Sequence, residues 1–246
     1  MRKAEAENDF WAVRQLLVQI ERDAPLALNW DTRRWDGKRF HYPAAVGDFS
    51  WISSLHLWPS DGPLKAAAFE EQPSCWVLAV APDSRELEPD LISYIESQTD
   101  QTIELDVLEG DHIRSEILKT KGWELLSCGG RVYHMQLEGA PEVEIRLPNG
   151  FRIREVNPEH LPDAQGVAAV LNAAFGRSFH QADEYTWFTR QAPSYRGYLD
   201  LGVFDLTNNL AAYAAVSYVP EARRGIFEPI CTHPDHQRKG LARALM

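Results

Sequence analysis

Cysteine is scarce and poorly spaced for chemistry: Cys75, Cys128 and Cys231 are the only three in 246 residues. An odd number of widely separated thiols, with no Cys-x-x-Cys pair, excludes a disulfide scaffold, a thiolate metal clip and a local redox couple. It points to buried thiols in a reducing compartment. Long apolar runs are missing as well. No stretch approaches the ~20 residues of a membrane-spanning helix, and the opening MRKAEAENDF turns acidic where a signal peptide has its apolar segment. The expected setting is cytoplasmic, with no membrane partner. Positive charge is also in deficit. Lys and Arg number 25 against 36 Asp and Glu, a net charge of −11, so the surface repels phosphate backbones and nucleic acid is not an expected partner. A surface this acidic mildly favours cationic small molecules.

What remains is an ordinary globular composition, 44% hydrophobic and 25% charged, able to bury a core. At about 150 residues per domain the length corresponds to roughly one and a half domains. Val13, Leu16, Leu17 and Ile20 recur at helical spacing and predict a helix over 10–20, after which the chain reads as aromatic and irregular up to Ala45. The period then changes to two. Strands are expected over 51–58, 64–69 and 75–80, with Pro82-Asp83 stopping the sheet. A helix over 87–95, a strand over 103–107, a helix over 111–121 and strands over 123–127 and 131–137 complete the first half.

The second half repeats the opening order. A strand over 151–156 leads to a helix capped by Asn157 and running to Phe175, and a second helix follows over 183–191. Strands over 199–204, 210–218 and 225–232 precede Pro234-Asp235 and a further helix. Pro82 and Pro234 stand 152 residues apart in the same place of this order, which suggests an ancestral duplication. The boundary is drawn in the Pro- and Gly-bearing stretch 139–150, giving a unit over 1–140 and another over 150–246.

The segment richest in chemistry is EPICTHPDHQRKGLARALM, 228–246. A strand turns sharply at His233-Pro234, and Gln237-Arg238-Lys239-Gly240-Leu241-Ala242 opens a helix. Unpaired N–H groups at a helix start suit a phosphate, Gly240 and Ala242 let backbone approach closely, and Arg238 and Lys239 add charge. It is neither a Walker A loop nor a three-glycine dinucleotide fingerprint. His233 and His236, with Pro234 between them and no third ligand nearby, do not make a metal site.

Gln237, Gly240 and Ala242 fill the defined positions of the pattern Gln/Arg-x-x-Gly-x-Gly/Ala, at a strand-to-helix junction. In this the sequence resembles the GNAT superfamily of acyl-CoA-dependent N-acyltransferases. The resemblance implies a tandem protein of α/β class, two GNAT-like domains with mixed, mostly antiparallel sheets flanked by helices. The first would be degenerate and the second would stop after the pyrophosphate-loop helix. It implies acetyl-CoA as co-substrate, no metal, and direct transfer of acetyl to a small-molecule or peptide amine. Carried over by residue, Ile230 and Thr232 would pair with the pantetheine arm along a splayed strand. Gln237, Arg238, Lys239, Gly240, Leu241 and Ala242 would hold the pyrophosphate. Glu228 would be the general base, and Phe179 and His180 would meet the acceptor. Pro229, which cannot donate to a ladder, suits a break in that strand.

At the 152-residue offset Gly240 corresponds to Glu88 and Ala242 to Asp90, so the first half has acids and no glycine where the loop should be. The family's usual tyrosine general acid has no counterpart before Met246. The chain is either a fragment or naturally short, and a strand edge left open beside 225–232 is expected to invite self-association. Two rival readings stand beside the transferase: a non-catalytic acyl-CoA-binding or scaffold protein, and an interaction domain whose basic helix start docks an acidic partner.

Overall fold

The computed structural model describes residues 1–4, 7–41, 54–126, 130, 132–136, 138–139 and 144–246. Within them the chain is a mixed α/β structure with two sheets flanked by helices. The first sheet runs in order β1 (Arg2–Lys3), β2 (His56–Trp58), β3 (Ala66–Gln72), β4 (Cys75–Val80) and β5 (Glu104–Leu105). Its neighbours are antiparallel except for the parallel β4–β5 pair. Alternate residues of β3 and β4 serve opposite faces. Ala67, Phe69, Val77 and Ala79 pack under α1 (Glu7–Asp23), among Val13, Leu17 and Ile20. Ala66, Ala68, Leu78 and Val80 pack under α3 (Glu88–Glu96) and α4 (His112–Thr120), against Leu91, Ile92, Ile95 and Leu118. With both faces covered, these strands read as apolar runs.

The second sheet is antiparallel throughout, in order β6 (Arg152–Glu155), β7 (Asp200–Phe204), β8 (Leu210–Val219) and β9 (Arg224–Thr232). Val167 and Val170 of α5 (Leu161–Phe175) and Tyr185 of α6 (Ala182–Gln191) meet Phe204, Tyr213 and Cys231 on one face. Leu241 and Leu245 of α7 (Leu241–Leu245) meet Val203, Ala212, Ala214 and Ile230 on the other.

Several expectations need correction. The stretch up to Ala45 holds a helix, α2 (Thr32–Phe40), capped by Asp31, whose Oδ1 accepts from Arg34 N at 2.8 Å. Its charges and Gly37 conceal any apolar period, but Trp35 is fully buried and donates its indole N–H to Phe10 O at 3.0 Å. A Cβ at position 37 would come within 2.8 Å of the His41 ring, which is reason enough for glycine there. Asn157 does not cap α5. Its side chain accepts from Glu159 N at 3.0 Å in a preceding turn, and the helix starts after His160 with Pro162 in its first turn. The described residues of 123–127 and 131–137 form no strand, and Leu125 and Met135, 86% and 75% exposed, have no face to bury them. The start of the expected strand 51–58, residue Cys128 and residues 140–143 of the 139–150 boundary lie outside the described residues.

The two sheets are joined by shared packing. Phe188 and Ala192, from the end of α6, are buried in the same cluster as Phe10, Trp35 and Phe40. Asp36 of α2, fully buried, holds Arg14 (Nε–Oδ1 2.8 Å) and accepts from Ser194 N at 3.2 Å. Ser194 O in turn accepts from Tyr218 N of β8 at 2.8 Å.

Candidate active site

The ladder between β8 and β9 is interrupted where the site begins. Ala214 pairs with Ile230 and Val216 with Phe227, so Glu228 and Pro229 together face Ala215. Two residues opposite one is a bulge, expected where proline removes a ladder donor. Beyond β9, a one-turn helix at Pro234–His236 leads into Gln237 to Gly240. Arg238 and Gly240 both take positive φ, 64° and 77°, a turn that gathers successive N–H groups into an anion-binding concavity. Among the described residues, no hydrogen bond within the chain takes the N–H of Arg238, Lys239 or Gly240. A Cβ at position 240 would find open space, so the positive φ and the clear approach are the demands that glycine meets.

A cavity of about 470 Å³ opens above this turn. Of the residues expected from sequence, Ile230, Thr232, Gln237, Arg238, Gly240, Leu241 and Ala242 line it. Lys239 does not. Its Nζ turns back to Asp235 O at 3.2 Å and lies 5.6 Å from the Phe151 ring centre. The cavity also has walls that sequence reading missed: Phe175 at the end of α5, Cys231, His236 and Arg243. Arg243 restores the cation that Lys239 withdraws. Cys231 is buried, and burial pushes its thiol up to about 12, so it stays protonated and a poor nucleophile. The cavity thus combines two guanidiniums, free amides and an apolar floor, and these residues fit a diphosphate with an extended apolar arm.

Glu228, at the bulge, is part exposed and faces the first half of the chain, with Arg33 and Arg34 of α2 within 4 Å. Phe179 and His180 lie in the turn between α5 and α6 and do not line the cavity. Phe179 is 60% exposed, 4.4 Å from the His180 ring, with the Arg177 guanidinium 5.5 Å above it. Both polar groups of Asn172's side-chain amide clamp the His180 backbone, each at 3.1 Å. His180 Nδ1 lies 3.6 Å from Glu184 Oε2, and His41 from the first half approaches the other oxygen at 3.4 Å while stacking on Phe188. Burial pushes His41 down to about 4 and the Glu184 carboxyl up. Among the described residues no cluster of three His, Cys, Asp or Glu side chains could hold a metal ion, and no helix is long and apolar enough to cross a membrane.

Comparison with known proteins agrees with this geometry. The sequence profile of the acetyltransferase (GNAT) family matches residues 164–246, from within α5 to the end of α7. No curated protein matches the chain. Among solved structures, the chain is similar to a GCN5-related N-acetyltransferase from Sphaerobacter thermophilus, at 14% identity and a TM-score of 0.54, over 99% of this chain and 79% of that one. It also matches a tandem GNAT protein from the clavulanic acid biosynthesis pathway, at 15% identity and a TM-score of 0.47, over 98% and 81% of the two chains. Identities this low speak to fold alone. Residues 164–246 match the acetyltransferase (GNAT) family, in a chain whose overall fold is similar to that of a GCN5-related N-acetyltransferase.

Proposed function

We propose that the protein is a cytoplasmic N-acetyltransferase that moves acetyl from acetyl-CoA to an amine by direct attack. Residues 150–246 would carry the cofactor site, and residues 1–140 would act as a degenerate companion unit. The observation that carries this reading is the cavity at the bulged strand, where Gly240, Arg238 and Arg243 converge on a turn of free amides. In this reading Arg238, Gly240 and the neighbouring amides hold the pyrophosphate, with Gln237, Leu241 and Ala242 shaping the turn. Lys239 adds charge at longer range. Ile230 and Thr232 pair with the pantetheine arm along the outer edge of β9, the end strand of its sheet. Phe179 and His180 flank the acceptor entrance.

The chemistry then needs a proton acceptor. An ammonium cannot attack a thioester, so Glu228 takes the proton, directly or through water, and the neutral amine adds to the carbonyl carbon. The tetrahedral adduct collapses with cleavage of the C–S bond, and the thiolate leaves and is protonated. The protonated state of Cys231 supports direct transfer over an acyl-cysteine relay. In a free-thiol release assay, Glu228→Gln is expected to lower kcat by roughly 10²–10⁴-fold and leave CoA affinity near normal. An unchanged pH–rate profile would assign deprotonation elsewhere. The second reading, a non-catalytic acyl-CoA-binding protein, predicts CoA binding by calorimetry with no thiol release for any acceptor. The same open edge of β9 can accept a strand from another copy, and light scattering reads that self-association.

A further inference from the structure

Two arginines from the first half stand at the bulge of β9. Arg33 Nη1 lies 3.5 Å from Glu228 Oε1 and Arg34 Nε 3.8 Å from Oε2, so one carboxylate faces two guanidiniums at more than ordinary hydrogen-bond length. Helix stability does not account for them. Cations in a first turn oppose the helix dipole, and α2 has no acid in that turn to offset them. Core packing does not account for Arg34, whose side chain is 47% exposed beside a Glu228 side chain 37% exposed, while Arg33 is more sheltered at 18%. Arg34 rests on the Trp30 ring at 5.4 Å, with Lys38 at 5.6 Å from the same ring. Asp31, the cap of α2, lies in electrostatic reach of both guanidiniums and balances their charge together with Glu228. Among the described residues no hydrogen bond at ordinary length takes the side-chain donors of Arg33 or Arg34.

Those open donors bear on the acceptor. A simple amine reaches Glu228 as a cation and meets two guanidiniums on arrival. An amine carrying an adjacent anion meets them with matching charge, and the planar guanidinium fork suits an oxyanion. We infer that Arg33 and Arg34 complete the acceptor side of the site and bind an oxyanion, carboxylate or phosphate, borne by the acceptor next to its amine. As the oxyanion takes over both guanidiniums, Glu228 is freed to accept the ammonium proton. Guanidinium donors at the reacting end thus favour acceptors with an anion beside the amine, where net charge alone favours plain cations. The inference rests on Glu228 marking the reacting end of the site.

The test uses the full chain with matched acceptors: α-amino acids, their amides, and 2-aminoethyl phosphate. Wild type is expected to prefer the amino acids over their amides, and the choice between amino acids and 2-aminoethyl phosphate identifies the oxyanion. Arg33→Gln and Arg34→Gln should each lower kcat/KM for the anionic acceptors by about 10- to 100-fold, mainly through KM, and should not slow the amides, for which the arginines only restrain Glu228. Arg33→Lys, keeping charge without the fork, should fall between. Equal use of amino acid and amide by wild type, or faster turnover of the anionic acceptors in the glutamine variants, would overturn the inference. If CoA binds and no acceptor reacts, the transferase reading fails by itself. In that case titration with amino acids and with 2-aminoethyl phosphate, read at the arginine Nε resonances, still decides. Shifts at Arg33 and Arg34 with the anionic ligands and not with the amides support the oxyanion site, and silence at both refutes it.

Discussion

The junctions after β4 and after β9 occupy the same place in their half of the chain, yet one is filled and the other is open. At Gly240 a missing side chain leaves space above a turn of free amides. At the corresponding Glu88 a carboxylate is fully buried and held by Arg114 through two contacts of 3.1 Å, and by Arg85, which also reaches Asp111 at 2.7 Å. The first half therefore carries its own anion where the second half leaves room for one from outside. An internal carboxylate and two arginines hold the position firmly in the first half without any ligand. Such a network is costly to break from one side, since each charge depends on the others for its solvation.

Three experiments would break or sharpen this contrast. Gly240→Glu combines a strained positive φ with a negative charge at the mouth of the cavity, and should abolish CoA binding, a loss of at least ~100-fold in calorimetric titration. Glu88→Ala strands two buried guanidiniums and should cost about 3–5 kcal/mol in urea denaturation, while any CoA affinity survives. A binding loss there comparable to Gly240→Glu would mean the filled junction is also a site. The smallest effect concerns His41. Its folded pKa of about 4 lies below its ordinary 6.5, so between those values the unfolded chain holds a proton that the folded chain refuses. Stability from this group is full above pH 6.5 and is lost as pH falls toward 4. Glu184, raised by burial, contributes with the opposite sign. His41→Phe, which keeps the stacking on Phe188, should remove at most about 2 kcal/mol of the loss between pH 7 and pH 5. An unaltered pH dependence would show that this histidine does not couple the halves to acidity.

The turn and its cavity were legible because they are local: Gly240, Ala242 and their charged neighbours sit within one turn, and Pro229 announces the bulge. The direction of Lys239 was not, since a lysine stem can fold back onto Asp235 or reach forward, and only the packing of Phe151 decides. The acceptor side was hidden for a different reason. Arg33 and Arg34 lie in a helix without apolar periodicity and meet Glu228 across most of the chain's length. Strands of the first sheet were readable from apolar runs such as 75–80, whereas 123–127 and 131–137 carry strand-like composition, yet beyond Trp123, which packs on the first unit's core, their apolar residues Leu125, Leu126, Tyr133 and Met135 are exposed.

The Asp36–Ser194 contact has a consequence for how such a chain can evolve. A copy that no longer binds anything is ordinarily free to drift and disappear. Here the carboxylate of Asp36 caps an amide in the segment between α6 and β7, and the cluster around Trp35 receives Phe188 and Ala192. Deleting the first half would expose these side chains to water and leave the Ser194 amide without its acceptor. Whatever the first half binds, the second depends on it for cover, and the same contacts hold Arg33 and Arg34 beside β9.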